Sequence, residues 1–170
     1  MRIAAGSCVL RPFEPEDAPR LAALADDERV WINVRDSFPR PYTQEDARGF
    51  IAYALSADPT TQLAIDVGGV VAGCIGADGR DDVERRTVEL GYWLGQPYWG
   101  RGIATAAVRA FVPWIWETLD VLRIEACVFS FNPASARVLE KSGFTLEGRL
   151  KHAVFKSGIV ADRLVYGLVR

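Results

Sequence analysis

Hydrophobic positions along this chain recur with two periods, and the switches between them mark out its elements. Cys8 to Phe13 reads as a short strand. Glu14-Pro15-Glu16-Asp17 follows with a turn, a preset φ and acidic residues suited to a helix start, and Ala18, Leu21, Ala22 and Ala25 then form one apolar stripe. Trp31 to Thr43 has no period and is interrupted by Pro39 and Pro41, which predicts an irregular segment. Thr43-Gln44-Glu45-Asp46 opens a second helix, with Thr43 as N-cap, that runs through Phe50, Ile51 and Leu55.

Gln62 to Val67 and Val70 to Ala77 flank Gly68-Gly69, a hairpin signal. Arg85 to Leu94 continues the sheet, and a helix follows from Gly102 to Thr118, with Ala104, Ala107, Val108, Phe111 and Ile115 on one face and Pro113 expected to kink it. Arg123 to Phe129 is a strand. Asn132-Pro133 starts a helix as N-cap and first-position proline, and Gly143 ends it. Phe144 to Glu147, Leu150 to Phe155 and Val160 to Val169 read as strands, the last two joined by Lys156-Ser157-Gly158. The order β-α-α-β-β-β-α-β-α-β-β predicts an α+β protein. Hairpins stand where βαβ units would be needed, which disfavours a flavodoxin-like nucleotide module.

Composition narrows this picture. A chain of 170 residues, 49% of them hydrophobic, supports one substantial core, so residues 1–170 are read as a single domain. A formal net charge of −2 gives no global attraction to nucleic acid, and no direct nucleic-acid binding is expected. No apolar run reaches the ~20 residues of a membrane helix, and the N-terminus has no apolar signal core; a cytoplasmic protein with no membrane association is expected. Cys8, Cys74 and Cys127 are scattered, which favours reduced thiols. His152 is the single histidine, with no His or Cys pair at ligand spacing, so no metal is expected.

The chemistry concentrates after Val88-Glu89-Leu90-Gly91-Tyr92-Trp93-Leu94, where a strand feeds Tyr98-Trp99-Gly100-Arg101-Gly102-Ile103-Ala104-Thr105 at a helix start. Glycines there let successive N–H groups converge, and the helix dipole adds positive charge, which makes a pyrophosphate cradle. The dinucleotide fingerprint would need a third glycine where Thr105 stands, and the Walker loop would need a Gly-Lys-Ser/Thr that is absent. Taken alone, Gly100 and Gly102 are equally a tight strand-to-helix connection.

Thirty residues on comes Phe131-Asn132-Pro133-Ala134-Ser135-Ala136-Arg137-Val138-Leu139-Glu140-Lys141-Ser142-Gly143-Phe144. With this second segment the chain resembles the GNAT superfamily of acyl-CoA N-acyltransferases, in its RimJ/RimL-like branch of ribosomal-protein-alanine acetyltransferases. Leu10-Arg11-Pro12-Phe13, Phe38-Pro39-Arg40-Pro41-Tyr42-Thr43 and Gly158 to Tyr166 are also similar to that branch. The resemblance implies a GNAT-like fold: a mixed, mostly antiparallel sheet flanked by about four helices, with a splayed central strand pair. It also implies acetyl-CoA as co-substrate and direct transfer to a primary amine in a ternary complex.

By the same resemblance, Trp99, Gly102 and Ala104 fall on the superfamily's cofactor loop. Trp99 departs from the general Arg/Gln but is similar to this branch. Gly100, Arg101, Gly102, Ile103, Ala104 and Thr105 would bind the pyrophosphate, and Tyr92, Trp93 and Leu94 the pantetheine; Asn132 would contact the pantetheine, and Arg137 and Lys141 the ribose phosphate. Glu89 is the leading base, or else a partner of Arg85 or Arg86. The superfamily's tyrosine acid falls on Leu139, so the branch's thiolate-facing serine, here Ser135, takes its place. Asp162 is a second base candidate, and Tyr166 a candidate acceptor contact.

The acceptor, a protein N-terminal α-amine or a small-molecule amine, is expected over Trp31, Asn33, Phe38 and Tyr42, because long loops over a rigid sheet build substrate sites. The competing class is a non-catalytic acyl-CoA-binding sensor, supported by Leu139 and opposed by Glu89 and Ser135. The branch allows a homodimer, although no seam in the sequence demands one.

Overall fold

A computed structural model describes residues 1–170. The chain forms two compact units, Met1–Gly76 with Tyr92–Phe111, and Ala77–Gly91 with Val112–Arg170. Its eight strands are hydrogen-bonded in the order β1-β2-β3-β4-β5-β6-β8-β7.

In the first unit, β1 (Ile3–Ala5) pairs antiparallel with β2 (Cys8–Arg11), and β2 with β3 (Gln62–Val67). β3 turns through Gly68-Gly69, both at positive φ, into β4 (Val70–Gly79). Against these strands pack α1 (Ala18–Ala25) and α3 (Gln44–Leu55), with the single-turn α2 (Glu28–Trp31) between them in sequence. Leu21, Ala22 and Ala25 of α1 and Ala47, Ile51 and Ala54 of α3 are buried with Phe13, Tyr42, Ala64, Val71 and Cys74. Small residues facing each other allow the helices to approach closely. Thr43 caps α3 as its composition predicts, with Oγ1 accepting from the Asp46 N–H while the Asp46 carboxylate accepts from the Thr43 N–H.

Arg11 lies at the base of this unit, only 4% exposed. Its Nε donates to Asp66 Oδ2 at 2.7 Å, and its Nη1 and Nη2 donate to the two oxygens of Asp17 at 2.7 and 2.9 Å. Asp17 also accepts from the Glu14 N–H, and Asp66 from the Gly69 N–H, so one guanidinium ties β2 to the turn before α1 and to the β3–β4 hairpin.

The second unit holds β5 (Thr87–Leu94) up to Gly91, β6 (Arg123–Phe129), α5 (Pro133–Lys141), β7 (Thr145–Lys156) and β8 (Ile159–Val169). β5 and β6 are parallel and pair over Thr87↔Arg123, Val88↔Ile124 and Glu89↔Glu125. Beyond that last pair the two strands pair no further with each other, while β6 pairs on with its other neighbour. β6 pairs antiparallel with β8, and β8 with β7. α4 (Ile103–Thr118) connects the two units along the chain.

Several elements differ from the sequence reading. There are five α-helices where about four were expected, because the four-residue α2 is too short to show a period; Asp27 starts it by accepting from the Arg29 N–H. The three-residue β1 escaped for the same reason. The strands expected at Phe144 to Glu147 and Leu150 to Phe155 are one strand, β7, with an irregularity between Leu150 and Val154. α4 is one helix with Pro113 inside it. No helix is long and apolar enough to cross a membrane.

Candidate active site

The end of β5 is shaped by close backbone approach. A Cβ on Gly73 would lie 2.1 Å from the Trp93 carbonyl oxygen, so only glycine lets β4 pass there, and the Gly95 N–H donates to the Ala72 carbonyl at 2.9 Å just beyond. A single 3-10 turn (Gln96–Tyr98) follows, and Trp99 folds back so that its indole Nε1 donates to the Leu94 carbonyl at 2.7 Å. Gly100 (φ +70°) and Gly102 (φ +75°) then place two left-handed residues around Arg101. This alternation turns successive N–H groups to one side.

Ile103 is 2% exposed and anchors the start of α4 in the core. Ala106 N–H to Gly102 carbonyl, 3.0 Å, is the first helical bond, so the N–H groups of Ile103, Ala104 and Thr105 precede the helical ladder. Added Cβ atoms at Gly100 and Gly102 would meet nothing within 4 Å, so the protein leaves that side of the turn open. The Arg101 guanidinium stands 5.8 Å from the Tyr98 ring centroid. The turn therefore offers donors, a helix dipole and one cation together, which suits a phosphate.

In the same unit, Phe38 packs against Trp93 at 5.5 Å and Tyr42 at 4.8 Å between ring centroids, so the irregular segment meets the end of β5. Trp31 carries the Arg40 guanidinium 4.9 Å from its ring centroid, and the Asn33 side chain donates to the Arg29 carbonyl. Tyr42 is 7% exposed, and burial pushes its phenol up to about 12. It therefore packs in the core, and Trp31, Asn33 and Phe38 are the members of the expected acceptor set that keep surface.

In the second unit, Glu89 lies on β5 beside Glu125 of β6, and its Oε2 accepts from Arg80 Nη2 at 3.0 Å. Arg80 was not singled out by the sequence reading, which offered Arg85 or Arg86 as partners; Arg86 pairs with Asp120 instead. Asn132 caps α5, its Oδ1 accepting from the Ser135 N–H at 3.3 Å, which sets half-buried Ser135 on the first turn of the helix. Arg137 and Lys141 are exposed on α5, and Leu139 is 1% exposed in the core.

The remaining candidates have structural partners. Asp162 accepts from the His152 N–H at 2.9 Å and from Arg149 Nε, contacts that hold its carboxyl below the usual carboxylate range. His152 has φ +54°, so Asp162 clamps the irregular part of β7, a poor state for a base. Tyr166 is buried and donates its hydroxyl to Glu140 Oε1 at 3.0 Å, tying β8 to α5. Burial pushes the Cys127 thiol up despite the hydrogen bond from Arg163 Nη2 at 2.9 Å, so a thiolate nucleophile is disfavoured there.

Residues 8–145 match the acetyltransferase (GNAT) domain family, and the chain belongs to that family, in its RimJ/RimL-like branch. YdaF, a candidate ribosomal N-acetyltransferase of Bacillus subtilis (strain 168), is 29% identical over 169 residues, covering 95% of this chain and 90% of that protein. The spermidine N(1)-acetyltransferase of Escherichia coli (strain K12) is 25% identical over 160 residues, 91% of this chain and 81% of that protein. Mycobacterium smegmatis RimJ in complex with CoA-disulfide has a TM-score of 0.83 at 25% identity, covering 99% of this chain and 84% of that one. The activity is acetyl transfer to an amine.

Proposed function

We propose that residues 1–170 act as a single cytoplasmic domain that transfers acetyl from acetyl-CoA to a protein N-terminal α-amine. The observation that carries the co-substrate is the open turn at Gly100–Thr105, with left-handed glycines and three N–H groups ahead of the helical ladder. In this reading Arg101 to Thr105 hold the pyrophosphate, Tyr92, Trp93 and Leu94 lie along the pantetheine, Asn132 contacts it, and Arg137 and Lys141 meet the ribose phosphate. That YdaF is a candidate ribosomal N-acetyltransferase supports a protein amine as acceptor; the spermidine relative makes a small amine the second acceptor to test.

Acetyl-CoA supplies the activated acetyl group. At neutral pH an α-amine, pKa about 8, is mostly protonated. Glu89 takes a proton from the ammonium, directly or through water, and the freed lone pair attacks the thioester carbonyl. As the C–S bond breaks, the Ser135 hydroxyl donates a hydrogen bond to the departing sulfur, aided by the positive end of α5. The second proton of the attacking nitrogen passes to the departing sulfur, which leaves as the thiol, and Glu89 returns its proton to solvent. Trp31, Asn33 and Phe38 hold the residue that bears the amine.

The test follows thiol release from acetyl-CoA over a panel of N-terminal peptides and polyamines. Turnover on peptides is expected. Binding without turnover on any acceptor would instead indicate a sensor, and no binding would sink the proposal. Ser135→Ala is expected to lower kcat by about 100-fold, with the KM for acetyl-CoA little changed; steady-state kinetics decide, and an unchanged kcat removes Ser135 from the mechanism. Sedimentation across a concentration series tests for the homodimer that this branch allows.

A further inference from the structure

Arg80 follows β4 directly, and its N–H donates to the Thr87 carbonyl at 3.0 Å, which fixes it beside the start of β5. From there a single nitrogen, Nη2, donates to Glu89 Oε2 at 3.0 Å and to Glu125 Oε1 at 3.1 Å. The two glutamates are register partners on parallel strands, so two carboxylates stand one strand spacing apart. Their side chains are 16% and 19% exposed, where ion pairs are screened less than on an open surface.

Glu125 is held from its other side as well. Its Oε2 accepts from Arg123 Nη2 at 3.1 Å, and Arg123 in turn grips Glu147 with both terminal nitrogens. Both oxygens of Glu125 are committed to guanidinia. Arg163 of β8 and Cys127 of β6 also feel both glutamates, and they are bonded to each other. Neighbouring carboxylates raise each other's proton affinity, and a cation shared between them lowers it.

We infer that Arg80 is a positioning residue for acetyl transfer: it holds Glu89 and Glu125 side by side as carboxylates and so sets the pH at which Glu89 accepts the acceptor's proton. The inference rests on the reading of Glu89 as base. In the step concerned, one N–H bond of the acceptor ammonium breaks, the proton goes to a Glu89 oxygen and the electron pair stays on nitrogen.

The test is the pH dependence of kcat/KM for the wild type and for Arg80→Gln, Glu125→Gln, the double variant and Glu89→Gln, on whichever amine the wild type acetylates. Arg80→Gln is expected to move the acidic limb up by about one pH unit, because Glu89 then loses this guanidinium while the like charge of Glu125 stays beside it. Glu125→Gln is expected to move it down, a sign that loss of stability cannot produce, and the double variant to return it toward the wild-type position. Glu89→Gln is expected to abolish the limb.

Superimposable limbs for Arg80→Gln, Glu125→Gln and wild type would overturn the inference, as would shifts of the same sign in both single variants. A limb that survives in Glu89→Gln, or a wild type inactive on every amine, would overturn the reading of Glu89 and this inference with it.

Discussion

Gly102→Val is expected to weaken acetyl-CoA binding by at least about 100-fold, close to 3 kcal/mol, while the protein still folds. Gly102 has φ +75°, a region that costs a non-glycine residue about 1–2 kcal/mol and a β-branched one more. The added Cβ meets no protein atom within 4 Å, so the folded chain suffers backbone strain and no collision. That strain is relieved by rotating the peptide units of the turn, which points away the N–H groups that the proposal assigns to the pyrophosphate, and the new side chain fills the side of the turn left open. Calorimetric titration with acetyl-CoA measures the loss. Gly68→Val is the control: it imposes a similar strain, φ +66°, with no atom within 4 Å, in the β3–β4 hairpin. Both variants are expected to lose a few degrees of Tm, at roughly 2–4 °C per kcal/mol for a chain of this size, and only Gly102→Val to lose binding. Equal affinities for the two would remove the turn from the co-substrate site.

Arg11→Met is expected to be the most damaging single change to stability. The guanidinium makes three bonds to two carboxylates whose side chains are 9% and 5% exposed, and methionine leaves both charges buried without their cation. Breaking a buried pair from one side costs about 3–5 kcal/mol, a fall in Tm on the order of 10 °C. The triple variant Arg11→Met/Asp17→Asn/Asp66→Asn removes the uncompensated charge and is expected to recover much of the loss, because ionic groups exchanged together need not destabilise. The pH dependence has a definite sign. Burial alone would raise the Asp17 carboxyl, but the bonds from Arg11 and from the Glu14 N–H outweigh it and hold it below its ordinary value. The stability it contributes is complete above its unfolded pKa of about 3.9 and is lost as pH falls through the depressed folded value. Thermal melts from pH 7 down to pH 3 should therefore converge for wild type and Arg11→Met at the acid end. A neutral-pH Tm for Arg11→Met within 2 °C or so of wild type would show that the three bonds contribute little.

How far the sequence could be read depended on the range of the interaction involved. Thr43 with Asp46, Asn132 with Ser135, and the positive-φ glycines at 68–69, 100, 102 and 143 all act within a few residues, and they stand in the structure where the residue types place them. The stripe of α1 follows from helical period alone, and Ala18, Leu21, Ala22 and Ala25 are buried as expected; of the positions read for α3, Ile51 is buried, Phe50 half-buried and Leu55 exposed, and Ala47 and Ala54 share the core face with Ile51. β1 and α2 escaped because three or four residues cannot display a period. The partners of Asp162 and Tyr166 were not legible for another reason: an acid or phenol on a strand looks the same in sequence whether it faces a substrate or, as here, accepts from His152 or donates to Glu140.

Short-range capping, turn stereochemistry and hydrophobic period, all written in neighbouring residues, sufficed for the α+β class and the strand–glycine turn–helix unit, while the reaction was implied by the family resemblance of the motif residues. Tertiary structure decided which charge meets which. The register Glu89↔Glu125, the reach of Arg80 to both, the burial of Arg11 between Asp17 and Asp66, and the packing of Phe38 on Trp93 join residues 6 to 55 positions apart. Such partnerships depend on strand order and on the direction each side chain leaves its strand, and no local preference encodes them.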